Sequence, residues 1–180
     1  MFKIIMDFDL QDSAQTMDFS VWGNAYVEHD GFFFPDKEWY DATSSLLDMW
    51  LSEISNFFSG NCDNCELYFM DGPFLIYLTQ LSENYVCISL IERPGKVQRE
   101  FSIPAEVLVE ELMQCAKLFL TKCTAQSAKI VGTKLYKRVL TNIALLGCLH
   151  SKYQTRERVL PQIDTMGDTG TVLLSPEESS

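Results

Sequence analysis

Cys65-Glu66-Leu67-Tyr68-Phe69-Met70-Asp71-Gly72-Pro73-Phe74-Leu75-Ile76-Tyr77-Leu78-Thr79 reads as two strands, over 65–70 and 74–79, reversed at Asp71-Gly72. Asp-Gly favours a hairpin because glycine accepts the positive φ that a tight turn needs. Pro73 follows immediately and removes one donor from the ladder. Two further runs, 85–92 and 97–103, extend the pattern, with Arg93-Pro94-Gly95-Lys96 as a turn between them. Four consecutive strands with short connections predict an antiparallel meander.

Upstream of it, residues 2–9 alternate well enough for a strand, and 19–28 for a second. His29-Asp30-Gly31 supplies a turn, and 31–34 returns as a short strand stopped by Pro35. The clearest helix comes next. Pro35-Asp36 offers its start, with Asp36 as N-cap, and Gly60 its stop. Trp39, Thr43, Leu46, Trp50, Ile54 and Phe57 recur at steps of three and four and build an apolar stripe. Asp41, Ser44, Ser45, Asp48, Ser52 and Ser55 fall on the opposite, solvated face.

Downstream, Pro104 suits the first position of a second helix. Glu106, Glu110 and Glu111 precede Lys117 and Lys122 along it, an order that complements the helix dipole. A third helix is expected from residue 125 to about residue 149, apolar in its second half and packed against the sheet. The expected fold is α+β: a mostly antiparallel meandering β-sheet with about three helices packed on one side. Residues 1–150 are expected to form a single domain, and 151–180 a polar C-terminal extension, solvated at its end.

Charge is distributed unevenly. The first 92 residues carry 16 Asp and Glu against Lys3 and Lys37, a local charge of −14; the rest carry 12 Lys and Arg against 9 acids, or +3, which together give the net −11 of the 180-residue chain. Such a field steers basic partners and repels nucleic acid and anionic membranes. The basic segment from Lys117 to Arg158 is read as a solvated helix face, or as the counterpart of the acidic half within one chain or between two copies. No apolar run approaches the ~20 residues that cross a bilayer. The N-terminus meets Asp7 and Asp9 without an extended apolar stretch, so a cytoplasmic location is expected.

Several groups invite a chemical reading. Asp7, Asp9 and Asp12 suit a hard cation, but nothing downstream completes a coordination shell, and a solvated acidic face accounts for them more simply. Cys62-Asp63-Asn64-Cys65 has redox or zinc spacing, yet it follows a helix and precedes a strand, and no second pair of ligands accompanies it. Cys87, Cys115 and Cys148 lie among apolar neighbours and are expected to be reduced core residues. His29, between Glu28 and Asp30, is expected in an exposed turn and biased toward its charged form. Neither a nucleophile elbow nor a phosphate loop is present. No cofactor, metal or catalytic residue is therefore assigned.

Phe34-Pro35, Trp39-Tyr40-Asp41, Trp50 and Phe69-Met70-Asp71-Gly72-Pro73-Phe74 form a pattern that resembles uncharacterised bacterial proteins similar to the immunity proteins of polymorphic toxin systems. It covers roughly residues 32–77. The resemblance implies a cytoplasmic interaction protein. Together with the charge, it points to an acidic protein-binding module that neutralises a basic toxin domain by occlusion. Asp30, Asp36, Asp41, Asp48, Asp63 and Asp71 are the exposed acidic candidates for partner contact. Two alternatives stand beside it. One is a small enzyme or small-molecule binder in which Asp7, Asp9 and Asp71 converge in a pocket between sheet and helices. The other is a homo-oligomer pairing the acidic half of one copy with the basic helix of the next.

Overall fold

The computed structural model describes residues 1–10, 21–126 and 128–157. Asp12 and the C-terminal residues 158–180 lie outside the described residues. The fold is α+β, with two antiparallel sheets where one was expected. The first contains β1 (Phe2–Met6), β2 (Gly23–His29), β3 (Phe32–Phe34) and β4 (Tyr40–Asp41), in the order β1-β2-β3 with β4 also paired to β2. The second is the expected meander: β5 (Asn64–Tyr68), β6 (Phe74–Gln80), β7 (Tyr85–Glu92) and β8 (Lys96–Pro104), each paired to the next. Three long helices, α1 (Thr43–Phe58), α2 (Ala105–Gln126) and α4 (Lys134–Glu157), accompany a single helical turn, α3 (Ala128–Val131).

The strands alternate as a half-buried sheet requires. Phe2, Ile4 and Met6 of β1 and Ala25 and Val27 of β2 are buried, whereas Lys3 and Asp7 are exposed. Asp30 and Gly31 both have positive φ, 49° and 76°, the backbone of a type I′ hairpin that matches the twist of β2 and β3. In the second sheet Val86, Ile88 and Leu90 face the core, paired with Ile103, Phe101 and Arg99. The two sheets meet through aromatic contacts. Phe2 lies 5.9 Å from Phe101 between ring centroids, and Phe34 lies 5.8 Å from Phe69.

One helix start was misplaced by sequence reasoning. Asp36 does not cap α1; its Oδ1 accepts the N–H of Glu38 at 2.8 Å, closing a local turn. The chain then enters β4, and α1 begins at Thr43, so Trp39 belongs to no helix. The stripe of Leu46, Trp50, Ile54 and Phe57 is buried as expected. The serine face is not wholly solvated, because Ser44 and Ser55 are buried. Each is satisfied locally: Ser44 Oγ accepts the N–H of Val21 at 2.8 Å, and Ser55 Oγ donates to the carbonyl of Leu51 at 2.7 Å. A hydroxyl that finds such a partner can enter the interior at little cost.

Pro104 ends β8 instead of opening α2. Along α2, Leu108, Leu112, Cys115, Phe119 and Cys123 form its buried stripe. Side chains of α2 also serve the outward edge of β1 and of the residues that follow it. Glu111 accepts the N–H of Ile4 at 3.1 Å and Cys115 donates to the carbonyl of Ile4 at 3.4 Å. Lys122 and Gln126 donate to the carbonyls of Phe8 and Leu10, at 3.1 and 3.3 Å. An open strand edge is a template for unwanted pairing, and α2 covers this one.

The third long helix starts at Lys134, not residue 125, because the chain breaks after α3, where Thr133 Oγ1 accepts the N–H of Tyr136 at 3.3 Å as an N-cap. It packs chiefly on α1 and α2, not on a sheet. Among the described residues, no helix is long and apolar enough to cross a membrane.

Trp50 joins these layers. It is 1% exposed, donates from Nε1 to the carbonyl of Tyr68 at 2.9 Å and meets Phe69 edge-on at 5.3 Å. Trp50→Ala should therefore lower the unfolding free energy by about 3–5 kcal/mol. Urea denaturation followed by circular dichroism measures the loss, and a change under 1 kcal/mol (roughly the level of a surface substitution) would contradict this placement.

Candidate partner-binding surface

β4 contains only Tyr40 and Asp41, which pair with Asn24 and Gly23 of β2. Strand alternation puts them on opposite faces: Tyr40 is 55% exposed and Asp41 is fully buried. The Asp41 carboxylate is surrounded by N–H donors. Oδ1 accepts from Ala42 at 2.6 Å; Oδ2 accepts from the backbone of Met70 at 3.0 Å, the backbone of Asp71 at 3.3 Å and the indole Nε1 of Trp39 at 3.3 Å. It also stands just before the first turn of α1, where the helix dipole favours negative charge. A buried carboxylate satisfied in this way fixes its donors, and two of those donors belong to the β5–β6 loop.

The loop is held from its other side by aromatic rings. Trp39 meets Phe74 edge-on at 5.0 Å, and Phe34 meets Phe74 at 5.6 Å. Gly72 has φ +72°, and a Cβ there would stand 2.9 Å from Cη2 of Trp39. Only glycine meets both the conformational and the spatial demand. The loop that results is pinned beneath and open above: Met70, Asp71, Gly72 and Pro73 are all exposed, Met70 by 56%. Nearby on the first sheet, Tyr40 stacks on Trp22, with centroids 6.0 Å apart and planes 19° apart, and Trp22 is 42% exposed.

The residues carrying the sequence resemblance thus converge on one knot. Phe34, Trp39, Asp41, Trp50, Phe69 and Phe74 are its interior, while Tyr40, Met70, Asp71 and Gly72 are its surface. Of the six acidic candidates, Asp41 and Asp71 belong to this knot, and they play different parts in it. Asp41 is buried and cannot contact a partner, which corrects its assignment as an exposed carboxylate. It supports the loop instead. Asp48 is also not free: Arg138 of α4 grips it with Nη2 at 2.7 Å and Nε at 3.2 Å.

Asp30 sits in the β2–β3 turn beside the N-terminal amine of Met1, which holds its carboxyl below the usual range. From His29 back to Gly23 is six strand steps, roughly 20 Å, so Asp30 and Asp41 occupy opposite ends of β2. Asp63 is exposed but precedes β5, roughly 20 Å of strand from Phe69. Asp36 and Asp71 remain exposed, Asp71 on the loop itself and Asp36 in the turn leading to Trp39. Sequence reasoning missed Trp22, Tyr40 and Met70 as surface groups. The signal for Tyr40 was its alternation with Asp41, hidden by placing both in a helix.

The other chemical readings find little support in the geometry. Asp7 and Asp9 are exposed on the first sheet and Asp71 on the loop, so the three share no enclosed pocket. A groove of about 510 Å³ lies instead between α1 and α4, lined by Asp48, Ser52, Glu53, Lys137, Arg138 and Asn142. Among the described residues, no three His, Cys, Asp or Glu side chains group as a metal site requires.

All six cysteines are free thiols. Burial, helped by the Glu53 carboxylate, pushes the Cys65 thiol up to about 12, and burial also raises Cys62. A redox or zinc pair needs the opposite shift. Cys115 is a core residue as expected, but Cys148 is exposed and Cys87 half-buried.

His29 departs from its expected setting. It ends β2 half-buried, stacked on Phe101 with centroids 3.7 Å apart and planes 7° apart. Its Nδ1 is buried without a hydrogen-bond partner among the described residues, and Nε2 lies 3.5 Å from Asp30. Desolvation outweighs the attraction of Asp30, and Arg99 and the N-terminal amine add to it, so the imidazole titrates below its ordinary 6.5.

No protein-family model, curated protein or solved structure matches this chain.

Asp41→Asn would replace a four-fold acceptor with a group that presents an N–H₂ to N–H donors. It should cost at least about 3 kcal/mol in urea unfolding, whereas Asp71→Asn should stay within about 0.5 kcal/mol. Equal effects of the two would refute the supporting role of Asp41. For His29, the unfolded chain gains its proton near pH 6.5 and the folded chain only below that. The histidine therefore contributes stability above this interval that is lost as pH falls through it. Unfolding measured from about pH 7 to about pH 5 should show a decline that His29→Gln reduces; identical slopes would exclude the histidine as its source.

Proposed function

We propose that this chain is a cytoplasmic acidic protein-binding module of the immunity type, which neutralises a basic toxin domain by occluding it. The observation that carries this reading is the β5–β6 loop. It presents Met70, Asp71 and Pro73 to solvent while its backbone is pinned by the buried Asp41 carboxylate. A loop ordered before binding avoids most of the entropy that a floating loop would lose on contact. The Trp22–Tyr40 stack offers aromatic contact area of the kind that anchors interfaces.

Electrostatics supports the same reading. Among the described residues, Asp48 pairs with Arg138 and Glu92 with Lys96 across the two halves, while Asp30 pairs with the chain's own amine. Asp36, Asp63 and Asp71 remain exposed without a cationic partner among the described residues. A field of that sign raises the encounter rate with a basic surface, and the loop and its aromatic neighbours govern how long the complex lasts.

The test is co-expression with any growth-inhibiting polypeptide that a neighbouring gene encodes. The protein should restore growth, and association of the purified pair should slow steeply as salt increases. The double variant Asp36→Lys, Asp71→Lys should slow association by about tenfold or more without unfolding the protein. An association rate indifferent to salt would remove the electrostatic part of the proposal, and the absence of any complex would remove the whole.

A further inference from the structure

The outer face of the first sheet has a composition that the acidic reading does not by itself require. Successive rows across it follow from the register: Asp9 opposite Trp22, Asp7 opposite Asn24 and then Tyr40, Ile5 opposite Tyr26, and Lys3 opposite Glu28 and then Phe33. Four aromatic side chains therefore share one face. Trp22 stacks with Tyr40, and Tyr26 meets Phe33 edge-on at 5.9 Å. Lys37 already lies over the Phe33 ring, 5.7 Å from its centroid, so one end of the face is occupied by a cation from the chain itself. At the other end the Trp22–Tyr40 stack is open to solvent, with the exposed Asp7 and Asp9 on the adjoining strand.

We propose that this open end is a docking site for an arginine side chain of a basic partner protein. This rests on the reading of the chain as an acidic protein-binding module and specifies the chemistry of its partner. A guanidinium is planar and weakly hydrated, so it stacks on an indole or phenol face while its edge donates to a carboxylate. Trp22 is the best of the aromatic faces for a cation. Directly opposed residues of paired strands stand about 5 Å apart, which places the carboxylates of Asp9 and, one row on, Asp7 within reach of a guanidinium over the stack. Lysine meets only half of this specification: its ammonium is attracted by the carboxylates but has no flat face to lay on the ring. The same chemistry is used within this chain, where Arg93 stacks on Tyr68 at 4.5 Å and Arg99 on Phe32 at 5.3 Å.

The full chain, labelled with nitrogen-15, is titrated with a blocked Gly-Arg-Gly-Arg-Gly peptide and with its lysine counterpart, while the indole N–H signals are followed. The expected result is a shift of the Trp22 indole by the arginine peptide, with the Trp39 and Trp50 indoles unmoved and binding several-fold weaker for lysine. Trp22→Ala should weaken arginine-peptide binding about five-fold, and Asp7→Asn should weaken it while leaving the fold intact. Equal affinity for the two peptides, or no movement of Trp22, overturns the inference. Concentration-dependent broadening of Trp22 without peptide, with a dimer in sedimentation, would assign the face to a second copy and overturn it as well. None of these outcomes touches the acidic-module reading, which stands or falls on co-expression and on the Asp36 and Asp71 variants.

Discussion

The carboxylate of Asp41 belongs by backbone to the first sheet and by hydrogen bonding to the second. β4 sets it against Gly23, and its oxygens receive N–H groups from Met70 and Asp71 at the turn between β5 and β6. The same side chain collects the indole of Trp39 and the first N–H of the chain entering α1. Burying a charge is costly unless every lone pair is occupied. Here four N–H donors satisfy it, Trp39 and Ala42 beside it in the chain and Met70 and Asp71 from the β5–β6 loop, and each is thereby held in place. The relative position of the two sheets, the start of α1 and the shape of the exposed loop all follow from one buried acid.

A second constraint acts at the far edge of the first sheet. β1 is an edge strand, and α2 runs along it and the residues after it, with Glu111 and Cys115 bonded to Ile4, and Lys122 and Gln126 to the carbonyls of Phe8 and Leu10. The two devices leave the first sheet with one edge covered by α2 and one face buried. What remains open is its outer face, where Trp22 and Tyr40 sit. The outer face and the loop beside it carry the exposed Asp7, Asp9 and Asp71 next to that aromatic pair. The basic residues of the C-terminal helices are partly spent inside the molecule: Lys122 on the Phe8 carbonyl and Arg138 on Asp48. Among the described residues, Asp36, Asp63 and Asp71 stay exposed and outside those pairs.

Much of the fold was legible because it depends on local periodicity. The β5–β8 meander, the Asp30-Gly31 turn and the buried stripe of α1 require only that apolar and polar residues alternate at the strand or helix period and that glycine stand where φ is positive. The errors arose where a residue's role depends on a distant partner. Asp36 has the chemistry of an N-cap, but the helix it was expected to open begins seven residues later, because Asp41 and Tyr40 are drawn into a strand by β2. His29 looked like a solvated turn residue between two acids, and Phe101 of β8 buries it. Neither partner is visible from the neighbouring sequence.

By itself, the sequence determined the class of the fold, the net acidity of its first half and the words Trp39-Tyr40-Asp41 and Met70-Asp71-Gly72-Pro73 as distinctive. Each of these is a property of composition or of spacing over a few residues. Only the tertiary structure decided that those words meet, that Asp41 is an internal acceptor while Asp71 is exposed, and that Trp22 stacks on Tyr40 at the surface. The physical reason is that burial and hydrogen-bond partnership belong to pairs of residues far apart in the chain. A carboxylate's role as support or as contact is therefore assigned by what packs around it.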